Sequence, residues 1–442
     1  MSQSFSHRTL RRRGLLALGG GALAAVAGVQ LAPRFGRGLS LGADSAEAAA
    51  SPTNLKLVGT DGWIYLPGSV GSVQPDTLAP KPRTTYIFGF RDVTALDVGT
   101  TQAQKNRAQA SAPLIYVDEM TDVRLSLTNL GLAQRPDLVD SHTIHFHGFR
   151  NAIPLFDGVP EMSIAVPIGR EFTYYYKPRD PGTYMYHCHF EDVEHIQMGM
   201  TGVIFVRPRQ NQGATGIPVA RSAGGPASSP LGYVYNDGVA PGQARSTAYD
   251  REFVIFLTEV WADAHWRDAH IQVSDWSDYA PDYWLMNGRV YPDTIEPNYD
   301  PMVTPTATPA GDSPAERLQF QPISSLVKAN AQERVLLRFV NLGYRQAAMT
   351  LPGLPMRVVG KDATLLRGRD GTDNSYLTNT VYVGPGESTD AIFTAQNTGT
   401  YRLYNRDYAY LSNAGASGLG GQLTEIRISA ANSLPLQTVP QT

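Results

Sequence analysis

Short runs of alternating apolar and polar residues, separated by glycine and proline, dominate this chain. Residues 122–128 and 172–176 alternate in this way, and residues 201–206 form a short apolar run. Alternation places the apolar side chains on one face of a strand, because successive strand side chains point to opposite faces. We find no long run with the period of an amphipathic helix. The pattern therefore predicts an all-β protein of the sandwich type.

Two parts of the chain repeat each other. Residues 122–131 (Asp-Val-Arg-Leu-Ser-Leu-Thr-Asn-Leu-Gly) resemble residues 334–343 (Arg-Val-Leu-Leu-Arg-Phe-Val-Asn-Leu-Gly). A Gly-Thr-Tyr triplet at residues 182–184 recurs at residues 399–401. An internal repeat of this kind indicates two copies of one structural unit.

The repeat predicts two β-sandwich domains, at residues 51–208 and 251–442. Residues 209–250 between them are rich in Gly, Pro, Ser and Ala, a composition typical of a linker. We expect residues 1–50 to lie outside both domains.

Residues 1–50 have the pattern of an export signal. Three arginines at 11–13 precede an apolar run rich in Gly, Ala and Leu, and the segment ends in Ala-Glu-Ala-Ala-Ala. This is a charged region, an apolar region and a small-residue cleavage site. The paired arginines favour twin-arginine export, as used by bacteria. The uncharged run at 14–33 is long enough to span a membrane, but its five glycines favour a cleaved signal over an anchor.

Composition limits the possible partners and the redox chemistry. Loss of the signal segment would change the formal net charge from −3 to −7. Nucleic-acid binding needs a basic face, so we exclude it, and we expect no stable membrane insertion after cleavage. A single cysteine cannot form an internal disulfide. Metal ligation better explains Cys188 in an exported protein.

Six of the nine histidines and the only cysteine lie between residues 142 and 195. The segment 182–200 reads Gly-Thr-Tyr-Met-Tyr-His-Cys-His-Phe-Glu-Asp-Val-Glu-His-Ile-Gln-Met-Gly-Met. A thiolate, imidazoles and a thioether are the ligands of a blue-copper site. Structural zinc sites favour several cysteines, or Cys and His that close one tetrahedron at short spacings. Copper therefore fits this set better than zinc.

Strand parity divides these candidate ligands into two sets. Cys188 points to the opposite face from His187 and His189, and His142 has the opposite parity to the pair that follows it. The first predicted site is mononuclear, with the ligands His142, Cys188, His195 and Met200. The second is a four-imidazole cluster of His145, His147, His187 and His189.

These residues resemble the multicopper oxidases of the cupredoxin superfamily. The family motifs His-X-X-His-X-His-Gly and His-Cys-His…His…Met match residues 142–148 and 187–200. The resemblance implies two cupredoxin-like Greek-key domains, type 1 copper at the first set of ligands, and type 2 and type 3 copper at the second. In the laccase pattern the histidine follows the cysteine by five residues, whereas here it follows by seven, so we expect a longer ligand loop.

The second domain should hold no copper. The repeat places Tyr-Asn-Arg at 404–406 where the first domain has His-Cys-His, and residues 347–352 contain no histidine. The family's trinuclear cluster uses eight imidazoles, and in two-domain relatives half of them come from a neighbouring subunit of a homotrimer. This chain supplies four, plus at most His265 and His270. We favour an exposed loop for those two histidines over a role as ligands.

The resemblance implies a laccase-like oxidase that takes electrons from phenolic or similar small molecules at type 1 copper and passes them to dioxygen. Asp157 and Glu194 resemble acids that the family uses to deliver protons, although a turn aspartate and a solvated loop acid are the simpler interpretations. We expect a secreted or extracytoplasmic protein that forms a homotrimer.

Two other functions remain open. Copper nitrite reductases share the two-domain plan, but their pattern has Asp at the position of His145 and a residue other than His at the position of His189. A blue-copper electron carrier fits the incomplete cluster, although it would not need the second set of histidines. No Met-rich insertion marks a cuprous site.

Overall fold

The structure, a computed structural model, describes residues 53–67, 76–212, 232–302 and 313–442. The predicted export signal lies outside these residues. Strands dominate the described parts of the chain. The longest helix in these parts has eight residues. In those same parts, no helix has the length and apolar character needed to cross a bilayer.

The first sandwich consists of two four-stranded sheets. Its strands are β1 (Thr53–Tyr65), β2 (Thr84–Asp92), β3 (Ile115–Asp118), β4 (Val123–Asn129), β5 (His145–His147), β6 (Glu171–Tyr176), β7 (Gly182–His187) and β8 (Thr201–Arg207). The strand orders are β2-β1-β4-β6 and β3-β8-β7-β5. Alternate residues of β4 are buried, at Val123, Leu125 and Leu127, and they join residues of both sheets in one core.

The second sandwich has a seven-stranded and a five-stranded sheet. Its strands are β11 (Arg251–Val260), β12 (Tyr283–Met286), β13 (Val327–Asn330), β14 (Arg334–Asn341), β15 (Ala347–Thr350), β16 (Met356–Lys361), β17 (Thr364–Leu365), β18 (Tyr376–Thr378), β19 (Thr380–Val383), β20 (Ser388–Thr394), β21 (Gly399–Asn405) and β22 (Leu423–Ser429). One sheet has the order β12-β11-β14-β20-β16-β17, with β18 beside β16, and the other has the order β13-β22-β21-β15-β19.

From residue 232 onward, the predicted linker packs on the second sandwich. It forms a small sheet from β9 (Gly232–Tyr233) and β10 (Ala248–Tyr249). Tyr235 between them is buried, and its hydroxyl donates a hydrogen bond to Asp390 Oδ2 at 2.7 Å. This end of the segment is therefore held by the second sandwich.

The four α-helices of the described residues are short. They are α1 (Val98–Gln102), α2 (Asp192–Met198), α3 (Ala262–Ala269) and α4 (Pro314–Arg317). Helix α2 starts after Glu191, which has a left-handed φ of 47°, and ends at Gly199 with φ 116°. A side chain at Gly199 would also meet Phe88 O at 2.8 Å. The longer ligand loop that the sequence predicts between Cys188 and His195 thus contains the first turn of α2.

Candidate metal centre

The mononuclear set of ligands meets inside the first sandwich. His142, Cys188 and His195 each bring one ligand atom within 4.8 Å of the others, and all three are fully buried. His195 Nδ1 lies 3.2 Å from Cys188 Sγ. The loop before β5, the end of β7 and helix α2 supply one residue each. The long-range packing of three separate segments therefore assembles this group.

Unpartnered nitrogens indicate that this group is built for a metal ion. Both ring nitrogens of His142 are buried and have no hydrogen-bond partner among the described residues, an arrangement that costs about 1–3 kcal/mol per group. Burial would raise the pKa of the Cys188 thiol, but the imidazoles of His195 and His142 outweigh it and hold that pKa well below its usual range. The thiolate is the form that binds metals, so this set fits copper.

Met200 is the candidate axial ligand, and Gly59 of β1 makes room for it. A Cβ at Gly59 would lie 2.7 Å from His142 Cδ2 and 3.3 Å from Met200 Cε. The Met200 methyl group and the His142 imidazole therefore both pack against the backbone of Gly59, where a side chain would displace them. Met198 is buried as well, but it lines a cavity beside α2. This geometry favours Met200 over Met198 as the residue next to His142.

The second set of ligands forms a cluster on the other face of β7. His145 of β5 lies directly across from His187 of β7. Ligand atoms of His145, His147 and His187 lie within 4.8 Å of one another, and the His189 ring is 5.2 Å from that of His145. Burial lowers the pKa of His187 to about 3. The imidazole is therefore neutral, as metal ligation requires.

The two acids singled out in the sequence lie in different places. The backbone oxygen of Asp157 is 2.6 Å from His145 Nδ1, and its carboxylate is 3.6 Å from the same nitrogen. Glu194 is half-buried on α2 and lines a cavity of about 270 Å³ together with Arg135, Met198 and Asp268. Asp157 thus touches the histidine cluster, whereas Glu194 lies on the outer side of the mononuclear group.

The interpretation of His265 and His270 as residues of an exposed loop was wrong, because His265 is buried on α3 and His270 is half-buried at its end. His265 lies on α3 and is fully buried, with Nδ1 2.6 Å from Tyr86 O and Nε2 3.1 Å from Gln197 O. Burial lowers its pKa to about 4. These contacts join the second sandwich to β2 and α2 of the first.

His270 caps the end of α3 and stacks on Trp266, with ring centroids 4.1 Å apart. Its Nε2 lies 3.3 Å from Asp76 Oδ1. Within the described residues, neither His265 nor His270 belongs to the groups whose atoms could share a metal ion. The cluster thus contains the four histidines of the first sandwich.

Sequence reasoning missed three residues of the centre. Gly59 was missed because nothing in the sequence indicates that β1 runs beside the ligand loop. Asp140 Oδ2 lies 3.5 Å from His195 Nε2, and its place two residues before His142 was an unused signal. Glu191, three residues after Cys188, lies close to the same ring.

Family models described as multicopper oxidase match residues 91–211 and 251–426. Together they cover more than half of the chain and most of each sandwich. The chain belongs to the multicopper oxidase family. Members of this family are copper-dependent oxidoreductases of the cupredoxin superfamily.

A stretch of 106 residues is 33% identical to the laccase abr2 of Aspergillus fumigatus, and it covers 24% of this chain and 16% of that relative. This chain therefore matches only a small part of the length of that curated protein.

Several solved structures are similar over most of the chain. The blue copper oxidase from Nitrosomonas europaea is 21% identical with a TM-score of 0.56, covering 85% of this chain and 86% of its own. The multicopper oxidase mgLAC is 21% identical with a TM-score of 0.57, covering 88% and 89%. A copper nitrite reductase from Nitrosomonas europaea is 18% identical with a TM-score of 0.51, covering 88% and 96%. At these identities the similarity concerns the fold, and it confirms the predicted all-β cupredoxin class.

Proposed function

We propose that this protein is a laccase-type oxidase that takes electrons from a small reducing donor and passes them to dioxygen. Copper, when bound, supplies one-electron chemistry at the Cys188 group and oxygen reduction at the histidine cluster. The observation that carries the proposal is the covalent link between the two groups. Cys188 belongs to the first, and its neighbours His187 and His189 belong to the second.

A reducing donor must also be able to approach the Cys188 group, and a cavity beside α2 offers a binding place for it. The cavity of about 270 Å³ beside this helix has apolar walls at Leu138 and Trp276 and acidic groups at Glu194 and Asp268. Glu194 directly precedes His195 in the sequence. The cavity suits an aromatic donor such as a phenol, with the carboxylates available to accept its proton. We therefore place Glu194 on the donor side.

Oxygen reduction consumes protons, and we assign their delivery to the histidine cluster to Asp157. Its carboxylate lies 3.6 Å from His145 Nδ1 and is about one-third exposed. It can therefore exchange protons with solvent on one side and contact the cluster on the other. A positioned carboxyl group is a common general acid.

One chain does not supply all the imidazoles that the family's trinuclear cluster uses, and this favours the assembly of several chains into an oligomer. Exposed apolar residues lie on the segment that follows β5, namely Ile153, Leu155, Met162 and Ile164. A second copy of the chain packed on this segment would exclude water from the cluster, so we propose a homotrimer.

We also propose that residues 1–50 direct twin-arginine export to an extracytoplasmic compartment.

The double change His145→Ala with His147→Ala tests the oxidase. It should keep the blue colour, because neither histidine contacts Cys188, and it should abolish oxygen consumption and lower the copper content per chain. His270→Ala serves as the matched control and should change neither. Copper analysis, visible absorption and an oxygen electrode are the measurements.

Wild-type protein that is blue but consumes no oxygen with any phenolic or metal donor would contradict the oxidase and favour an electron carrier. Nitrite reduction in place of oxygen consumption would favour a nitrite reductase. This is the weaker alternative, because the nitrite reductase pattern does not have histidines at the positions of His145 and His189.

A further inference from the structure

Helix α2 carries His195 into the mononuclear group, and it is too short to hold its own position. It has seven residues, and the side chain of Glu191 at its start does not cap it. Isolated helices shorter than about 12–15 residues are marginal in water, so most of the stability of a short helix in a protein comes from packing. The position of the His195 imidazole therefore depends on what α2 packs against.

Two opposite faces of α2 meet two different parts of the molecule. His195 and Met198, three residues apart, share the face that is turned to the first sandwich, and both are fully buried. Val193, Ile196 and Gln197 have the spacing i, i+3 and i+4, so they share the other face. Each of these three residues contacts the second sandwich, as described below. The helix is thus held between the copper group and the second sandwich.

Tyr344 reaches α2 from the loop after β14. Its hydroxyl donates a hydrogen bond to the backbone oxygen of Val193. Its own backbone is fixed, because Tyr344 N donates to Oε1 of the buried Glu259 at 2.6 Å. Tyr279 packs on the Tyr344 ring, with centroids 5.3 Å apart, and its hydroxyl donates to the same carboxylate oxygen at 2.9 Å. Tyr344 is thus a fixed contact between the second sandwich and the start of α2.

The end of α2 is also attached to the second sandwich. Gln197 Nε2 donates to Glu259 O at 3.1 Å, and Gln197 O lies 3.1 Å from His265 Nε2. Ile196 packs against an apolar cluster that contains strand residues of both sandwiches. The second sandwich therefore holds both ends of the helix whose middle carries His195.

The internal repeat shows that the contact of Tyr344 is particular to the second sandwich. Residues 129–132 (Asn-Leu-Gly-Leu) align with residues 341–344 (Asn-Leu-Gly-Tyr). Leu132 is buried in the core of the first sandwich. Its counterpart Tyr344 is half-buried and contacts α2 instead. The second sandwich thus places a tyrosine against the helix that bears a ligand of the first.

We propose that the second sandwich positions His195 for copper by holding α2, with Tyr344 and Gln197 as the positioning residues. We call their contacts the α2 clamp. The imidazole can bind copper only where the helix backbone places it, and a metal ligand must be held within about 0.5 Å of its working geometry by the residues around it. The α2 clamp therefore sets the copper affinity and the reduction potential of the Cys188 group. It rests on the proposed function in one respect, since copper at this group accepts the electron of the donor.

The test uses the full chain and the change Tyr344→Phe, which removes one hydroxyl and keeps the ring. Gln197→Met removes the other hydrogen bond and keeps the length of the side chain. Tyr283→Phe is the matched control, because the Tyr283 hydroxyl of the second sandwich also donates to a backbone oxygen near β1, Pro67 O at 3.0 Å, which lies outside α2. Copper titration of the blue absorption, a redox titration, and hydrogen exchange of the α2 amides in copper-free protein are the measurements.

We expect Tyr344→Phe and Gln197→Met each to weaken copper binding at the Cys188 group by about tenfold. Both should also shift its reduction potential and speed hydrogen exchange of the α2 amides. Tyr283→Phe loses one hydrogen bond as well, so it should destabilise the fold similarly but leave these three quantities as in wild type. Wild-type values of all three in both Tyr344→Phe and Gln197→Met would overturn the proposal. Equal shifts in Tyr283→Phe would also overturn it, because the contacts would then only stabilise the fold.

The failure of the α2 clamp and that of the oxidase look different. Variants that keep wild-type copper affinity, potential and exchange, in a protein that consumes oxygen, would refute the clamp and leave the oxidase intact. A blue protein that consumes no oxygen with any donor, but whose copper affinity and α2 exchange change in Tyr344→Phe, would refute the oxidase and support the clamp.

Discussion

The two sandwiches are built on one scaffold, but among the described residues the groups that could hold a metal ion all lie in the first. In both, a parallel pair of strands lies at the centre of a sheet, β1 with β4 and β11 with β14. Asn129 and Asn341 end the second strand of each pair. Each donates from Nδ2 to two backbone carbonyls and accepts at Oδ1 from a glycine N–H. The shared frame thus extends to side-chain hydrogen bonds.

Strand register shows which residues replace the ligands. The equivalent pairs, with the first sandwich named first, are Gly59 and Leu257, His142 and Ala347, His145 and Thr350, His187 and Tyr404, Cys188 and Asn405, and Met200 and Gln422. Cys188 N donates to Met200 O at 3.1 Å, and Asn405 N donates to Gln422 O at 3.0 Å.

The second sandwich fills the space that the first keeps for a metal. Asn405 Nδ2 donates to Gln422 Oε1 at 2.8 Å, so two amides satisfy each other at the positions of Cys188 and Met200. Leu257 is fully buried at the position of Gly59. The difference teaches that the cupredoxin frame tolerates either a metal group or a closed core, and that a few side chains decide between them.

The largest contrast should come from Cys188→Ser against Asn405→Ser. Cys188→Ser should abolish the blue absorption completely, because a hydroxyl is a hard and weak ligand for this group. Asn405→Ser should retain the colour and lower the free energy of unfolding by about 1–3 kcal/mol, because the Gln422 amide loses its partner. Visible spectra and urea unfolding measure the two effects. A colourless copper-loaded wild type would disprove the type 1 assignment.

The pair Gly59 and Leu257 should separate metal binding from stability. Gly59→Ala should weaken copper binding by at least about tenfold, because its Cβ would lie 2.7 Å from His142 Cδ2. Leu257→Ala should keep the blue band and cost about 2–5 kcal/mol of folding free energy by leaving a cavity. Copper titration and chemical unfolding give the two numbers. If both changes altered the copper affinity equally, Gly59 would not have the special role of leaving room for the metal group.

His265 joins the two sandwiches, and it should make their stability depend on pH. Its pKa in the folded protein is about 4, lowered by burial from 6.5. The unfolded chain therefore binds the proton first as the pH falls, and stability is lost between about pH 6.5 and pH 4, by up to about 3 kcal/mol. His265→Gln should remove this part of the pH dependence, as seen by urea unfolding at several pH values. His270→Gln should leave it in place, and identical profiles for wild type and His265→Gln would refute the assignment.

The smallest effect should come from the axial position. Met200→Leu should retain the blue band and raise the reduction potential, because an axial thioether is a weak ligand that tunes the potential of the metal. Its counterpart Gln422→Leu should not change the potential. A redox titration measures both. A shift of the potential with Met198→Leu but not with Met200→Leu would assign the axial position to Met198 instead.

Short-range patterns predicted much of the fold and of the centre. Alternation in residues 122–128 identified the buried face of β4, and the repeated Asn-Leu-Gly identified the second copy of the frame. Parity assigned Cys188 and His187 to different groups, as the structure places them. These are properties of neighbouring residues on one strand, so the sequence contains them directly.

What the sequence determined by itself is therefore the strand class, the repeat and the division of the candidate ligands into two sets, because each depends on local spacing. The tertiary structure alone decided the roles of Gly59 and His265. His265 contacts Tyr86, which is 179 residues away, and Gly59 gains its role only because β1 runs beside the His142 loop. Such contacts depend on which strands become neighbours during folding, and no periodicity along the chain records that choice.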